Sequence, residues 1–108
     1  MEINKIADCL KALGDPTRLK MVALLKYRDC CVCELTPIFN ISQPAVSKHL
    51  SRLKSADLVT ETRKGQWVFY SLNHSKFEEL GFSLSHLPDL SRNFQELEKK
   101  GLLVNCDV

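Results

Sequence analysis

"SQPAVSKHLSRLKSADLVTETRKGQWVFYSLN", Ser42 to Asn73, changes its hydrophobic period partway along. Up to about Ser55, Val46, Leu50 and Leu53 recur on one helical face, while Gln43, Ser47, Lys48, Ser51 and Arg52 point elsewhere. Ser42 is a good N-cap and Pro44 suits the first turn, so the helix starts there. After it comes a stretch rich in Val, Thr, Trp, Phe and Tyr with Lys64-Gly65 at its centre. That composition predicts a β-hairpin, with strands near 58–62 and 67–72 and a basic tip.

Upstream, Val32 to Phe39 reads as a short helix, and Asn40-Ile41 as a tight turn into the helix that Ser42 caps. Ile3, Ile6, Ala7, Leu10 and Leu13 follow helical spacing, so residues 2–13 read as an amphipathic helix that Gly14 ends. Asp15-Pro16 then opens a second helix, whose stretch from Leu19 to Leu25 has only Lys20 as a polar residue and is therefore expected to be buried nearly all round. Downstream, Phe77, Leu80, Leu84 and Leu87, then Leu90, Phe94 and Leu97, resume helical spacing. Pro88 interrupts them, so helices are expected near 75–86 and 89–100, with 101–108 as a tail. A short helix, a tight turn, a second helix and a basic-tipped hairpin make a winged helix-turn-helix. The fold class is therefore mainly α with a β-hairpin wing, in one domain over 1–108. The helix-turn-helix spans 32–55 and the wing 58–72. Helices 1–13 and 74–100 are expected to serve dimerisation.

In this architecture the second helix of the pair enters the major groove and the wing lies against the backbone. Ser42, Gln43, Ser47, Lys48 and Arg52 are the expected groove residues, with Arg63 and Lys64 on phosphates. His49 is open between phosphate contact and packing. Charge agrees with this placement. Residues 42–66 carry five basic groups against two acidic ones, whereas the net charge of the whole chain is only +2. The positive excess thus sits where a polyanion would dock. No run approaches the length of a membrane span, and the N-terminus is not a secretory signal. The expected address is the cytosol, where thiols stay reduced, so the five cysteines fit metal or redox chemistry better than a disulfide framework.

Three of those cysteines crowd into "DCCVCEL", Asp29 to Leu35. On a regular helix, Cys30 and Cys33 would share a face, while Cys31 and Cys33 would sit about 200° apart. If one ion is to hold Cys31 and Cys33, the start of the helix has to unwind, and that motion would be passed to the adjoining recognition helix. A helix N-terminus favours thiolate, the form that binds soft ions. Cys9 reads as a small buried hydrophobe. Trp67 and Tyr70 read as hairpin packing, and His74 and His86 as surface or packing residues.

Four segments, "LKALGDPTRLKMVALL", "CVCEL", "ISQPAVSKHLSRLKSADLV" and "RKGQWVFYSLN", resemble in order those of the ArsR/SmtB metalloregulatory repressors, over roughly residues 5–73. The resemblance implies a homodimeric winged-helix repressor that leaves double-stranded operator DNA when a metal or metalloid binds. It places Cys31 and Cys33 on the two ligand positions of the family's "ELCVCDL" box. That box implies arsenic(III) or antimony(III) as inducer, with other thiophilic ions such as cadmium or lead as alternatives. His74, His86 and Asp89 lack the spacing of the family's zinc and nickel site. Thr36 stands where arsenite sensors of this type carry a further Cys. The third ligand is then expected to be Cys30, with Cys106 or Cys9 as alternatives. Three other functions are compatible with the cysteines: a cadmium, lead or zinc sensor on the same fold, a thiol switch answering oxidants or persulfide, and, in a different class, a small thiol oxidoreductase. The last lacks a Cys-x-x-Cys in a βαβ setting.

Overall fold

The structure is a computed structural model and describes residues 1–104. Helices α1 (Ile3–Leu13), α2 (Pro16–Tyr27), α3 (Val32–Phe39) and α4 (Gln43–Ser55) precede a hairpin of β2 (Val59–Lys64) and β3 (Trp67–Leu72). A two-residue strand β1 (Cys30–Cys31) pairs antiparallel with β3, giving a three-stranded sheet in the order β1-β3-β2. Helix α5 (His74–Leu80), a single 3₁₀ turn at Leu84–His86 and α6 (Ser91–Lys99) complete the described residues.

Local chemistry explains the boundaries. The Asp15 carboxylate accepts the Arg18 N–H at 3.0 Å, capping α2 with Pro16 at its first position. Arg18 also finishes the helix before it. Its Nε donates to the Ala12 carbonyl at 2.7 Å and its Nη2 to that of Lys11 at 3.4 Å, satisfying orphan acceptors at the end of α1. Asn40, left-handed at φ 54°, ends α3, and Ser42 caps α4 by accepting the Ala45 N–H at 3.3 Å. Gly65 at φ 61° supplies the backbone that the two-residue hairpin turn requires.

The core runs from Leu13 and Met21–Leu25 through Leu35, Val46, Leu50 and Leu53 to Leu58, Val59 and Leu72. Fully burying each Leu or Val stabilises the fold by about 1.5–3 kcal/mol. One expectation for the C-terminal half needs correction. A helix over 75–86 does not form, because Gly81 adopts φ 77° and closes α5 after Leu80. Phe77 and Phe94 pack in the chain's own core. On α1, by contrast, Ile3 (77 % exposed) and Leu10 (53 %) face outward, and Cys9, Ala12 and Leu13 pack inward.

Candidate thiol site and nucleic-acid interface

Cys31 and Cys33 meet at the start of α3, where their sulfurs are joined as a disulfide. The helix is intact from Val32 onward, so the expected unwinding is not needed. Cys31 is the N-cap and ends strand β1 with φ −94° and ψ 164°. Its side chain leaves an extended residue, and the angular separation of two positions on one helix does not apply.

Extended geometry also separates the neighbouring thiols, because successive strand side chains point to opposite faces. Cys31 lines a cleft with Cys33, whereas Cys30 is turned into the core with no exposure. The Cys30 thiol donates to the Arg28 carbonyl at 3.4 Å, and burial, reinforced by Glu34, pushes its pKa far up. The structure therefore does not bring the expected third ligand to the pair. Cys9 is likewise a core residue, donating to the Ala56 carbonyl at 3.6 Å. Cys106 lies outside the described residues.

A residue that pattern reading missed organises the site. Glu34 has 0 % exposure and is the buried charged side chain among the described residues. Its Oε1 accepts the Cys31 N–H at 3.0 Å, its Oε2 accepts the Val104 N–H at 2.9 Å, and Arg28 Nη2 lies 3.5 Å from Oε2. Glu34 at the third helical position is the one available signal, since that is where a carboxylate reaches back to the N-cap. Nothing in the sequence foretells the bond to Val104.

The cleft has a volume of about 400 Å³. Gln43 and Ser47 on α4, Arg63 on β2, and Trp67 and Tyr70 on β3 line it together with the thiol pair. The expected groove residues Gln43, Lys48 and Arg52 are exposed and Ser47 is partly so, while Val46, Leu50 and Leu53 anchor the other side of α4. Ser42 serves as the cap, and Arg52 sits toward α1, near Asp8 and Lys11. The His49 ring is half-buried. Its Nδ1 lies 3.3 Å from Arg18 Nη1 and 3.9 Å from Asp15 Oδ2, at the start of α2.

At the wing, Arg63 and Lys64 are exposed, and Lys64 Nζ stands 5.5 Å from the Phe69 ring centre. Lys54 Nζ donates to Glu61 Oε1 at 2.8 Å and the Tyr70 hydroxyl to Glu61 Oε2 at 3.0 Å, tying the end of α4 to the wing. The Lys54 hydrogen bond, then that of Tyr70, lowers the Glu61 pKa. Burial, then the Glu61 carboxylate, pushes the Tyr70 phenol up to about 12.

A short helix turned against an exposed, basic helix, with a hairpin wing beside it, defines a winged-helix DNA-binding regulator. Residues 15–61 match the family described as "Bacterial regulatory protein, arsR family". The chain is 44 % identical over 72 residues to the transcriptional repressor SdpR of Bacillus subtilis, covering 67 % of this chain and 80 % of that protein. It is 39 % identical over 79 residues to the arsenical resistance operon repressor of the same organism, covering 72 % and 75 %. Among solved structures it resembles HlyU from Vibrio cholerae, with a TM-score of 0.66 and 33 % identity over 74 % of this chain and 89 % of that one. The chain belongs to the ArsR family and is a transcriptional repressor, not an enzyme. The oxidoreductase reading falls with that assignment. No helix among the described residues is long and apolar enough to cross a membrane.

Proposed function

We propose that this repressor leaves its operator when reduced Cys31 and Cys33 take up a trivalent arsenic or antimony species. One observation carries the reading: the two sulfurs are in contact at the start of α3, on a cleft shared with Gln43, Ser47 and Arg63. The residues suit such an inducer. Both thiols sit at a helix N-terminus, where exposed N–H groups favour thiolate, and Cys33 is open to solvent. Bound there, the inducer supplies a soft acceptor for thiolate sulfur. The Bacillus subtilis relative named for arsenical resistance supports the metalloid class.

The remaining steps belong to the chain itself. Gln43, Ser47 and Lys48 read base edges with Arg52 beside them, and Arg63 and Lys64 hold phosphates. Cys31 is tied through its backbone to Glu34, so a displaced Cys31 disturbs the first turn of α3. That helix packs on α4, and the coupling is the difference in inducer affinity between the DNA-competent and incompetent arrangements. A second copy covers the outward Ile3 and Leu10 face of α1, giving a homodimer with two recognition helices.

The disulfide favours a second reading, a redox switch. Two thiols would give two protons and two electrons to hydrogen peroxide, leaving the disulfide and two waters. One experiment separates the readings: titrate operator-bound, reduced protein with arsenite, antimonite, cadmium, zinc and peroxide. Release by arsenite or antimonite at the lowest concentration supports the first. Release by peroxide alone replaces it with the second.

A further inference from the structure

One guanidinium touches three helices. Arg18 sits in the first turn of α2, and its Nε and Nη2 close the carbonyl end of α1 at Ala12 and Lys11. Its remaining nitrogen, Nη1, lies 3.3 Å from His49 Nδ1 on α4. A guanidinium carries donors only and does not give up its proton in a protein, so the ring nitrogen that meets it must be the acceptor. The hydrogen bond at one imidazole nitrogen decides which nitrogen carries the proton. The proton of the neutral His49 ring therefore sits on Nε2. A proton on Nδ1 would set N–H against N–H at Arg18, and Asp15 Oδ2, 3.9 Å away, is too distant to accept it.

Nε2 finds no hydrogen-bond partner among the described residues, and no buried side-chain nitrogen or oxygen among them is left without one. The Nε2–H edge therefore reaches solvent, in keeping with the 26 % exposure of the side chain. Arg52 follows three positions along the same face of α4 and Lys48 precedes the ring, both exposed. A neutral donor set between two cations suits a phosphate oxygen, to which uncharged side chains as well as basic ones commonly donate.

We propose that Arg18 is a positioning residue for DNA binding: it fixes His49 as the Nε2–H tautomer, and that N–H donates to a backbone phosphate beside the groove. The inference rests on α4 being the recognition helix. Such a contact carries no sequence information but sets the register in which Gln43 and Ser47 meet the bases.

Two substitutions separate donation from packing. Gln places an amide N–H near the position of Nε2, whereas Asn places its amide near Nδ1 and keeps an acceptor for Arg18. His49→Gln should bind a duplex selected from a random pool within about threefold of the parent, and His49→Asn about tenfold or more weaker. A methylphosphonate, which removes one oxygen and the charge, is walked through the duplex one linkage at a time. It should weaken the parent at a linkage where it no longer matters to His49→Asn. In mildly alkaline buffer, the imidazole nitrogen NMR spectrum of the free protein should show His49 protonated on Nε2, with His49→Gln identifying its signals among the three histidines. Arg18→Met should move both signals toward the average of the two tautomers. His49→Asn binding as tightly as the parent, a parent proton on Nδ1 or shared between the nitrogens, or an unchanged spectrum in folded Arg18→Met would overturn the proposal. If Arg18→Met does not fold, the Gln and Asn comparison and the parent spectrum decide it. Gln43, Lys48 and His49 variants that all bind like the parent would instead sink α4 as the recognition helix.

Discussion

Glu34 and Cys31 form a closed turn: the carboxylate of the first accepts the backbone N–H of the second at 3.0 Å from a fully buried position. The same carboxylate holds Val104, so one side chain joins the thiol site to the end of the described chain. Glu34→Ala would orphan both N–H groups and leave a cavity. It should destabilise the fold by about 2–4 kcal/mol. Glu34→Gln keeps one acceptor oxygen for the two donors and should cost less, about 1–3 kcal/mol. Urea unfolding of the three proteins measures the order, and an Ala variant as stable as the parent would remove Glu34 from its organising role.

Cys31→Ser and Cys33→Ser should each leave operator affinity nearly unchanged and abolish release by the arsenical, since Ser keeps the shape but lacks the soft thiolate. Anisotropy of labelled operator with and without ligand gives both quantities. Release that survives in both variants means the inducer binds elsewhere.

Gln43 and Lys64 should fail differently. Lys64→Ala should weaken binding to all sequences alike and lower the salt slope by about one unit. Gln43→Ala should relax sequence preference at a cost of about 1–3 kcal/mol if it pairs with a base. Equal salt slopes for the parent and an Arg63/Lys64 double alanine variant would take the wing off the phosphates.

Leu10→Arg places a charge on the outward face of α1 without touching the core packing of Cys9, Ala12 and Leu13. It should yield folded monomers with little operator affinity. Sedimentation at micromolar concentration decides the matter, and a dimer that survives the change moves the interface off this face.

Tyr70 should make stability fall in alkali. Its folded pKa is raised to about 12, above the unfolded value of about 10, so the folded state holds the proton more tightly. The contribution is complete below pH 10 and is lost as pH rises towards 12. Glu61→Gln removes the anionic acceptor and should lower the Tyr70 pKa, leaving burial as the main cause. Absorbance titration at the tyrosinate band, with the more exposed Tyr27 as internal reference, follows this directly.

The first two-thirds of the fold was legible because its punctuation is chemical. Asp15-Pro16, Asn40, Ser42 and Lys64-Gly65 each announce a cap or a turn, and the structure uses each of them so. Gly81 was equally legible in kind, but the apolar spacing of Phe77, Leu80 and Leu84 ran across it and pointed to one longer helix. Strand β1 left no pattern, since two residues cannot show a period and their pairing depends on β3, about 40 residues away. The thiol pair is legible in the sequence, but helical spacing does not give its geometry, because Cys31 only caps the helix. Burial of Glu34 and the turn of His49 toward Arg18 are tertiary facts with no local signature.

Strand β1 has one more consequence. Cys30 faces Tyr70 and Cys31 faces Phe69 across the ladder, so which of the two adjacent cysteines lines the cleft is decided by parity alone. A slip of one residue along β3 would exchange them, sending Cys31 inward and presenting Cys30 to the cleft. The spacing between Arg28 and Val32 is thus an address, and one residue inserted there should abolish the proposed release by metalloid with every cysteine still in the chain.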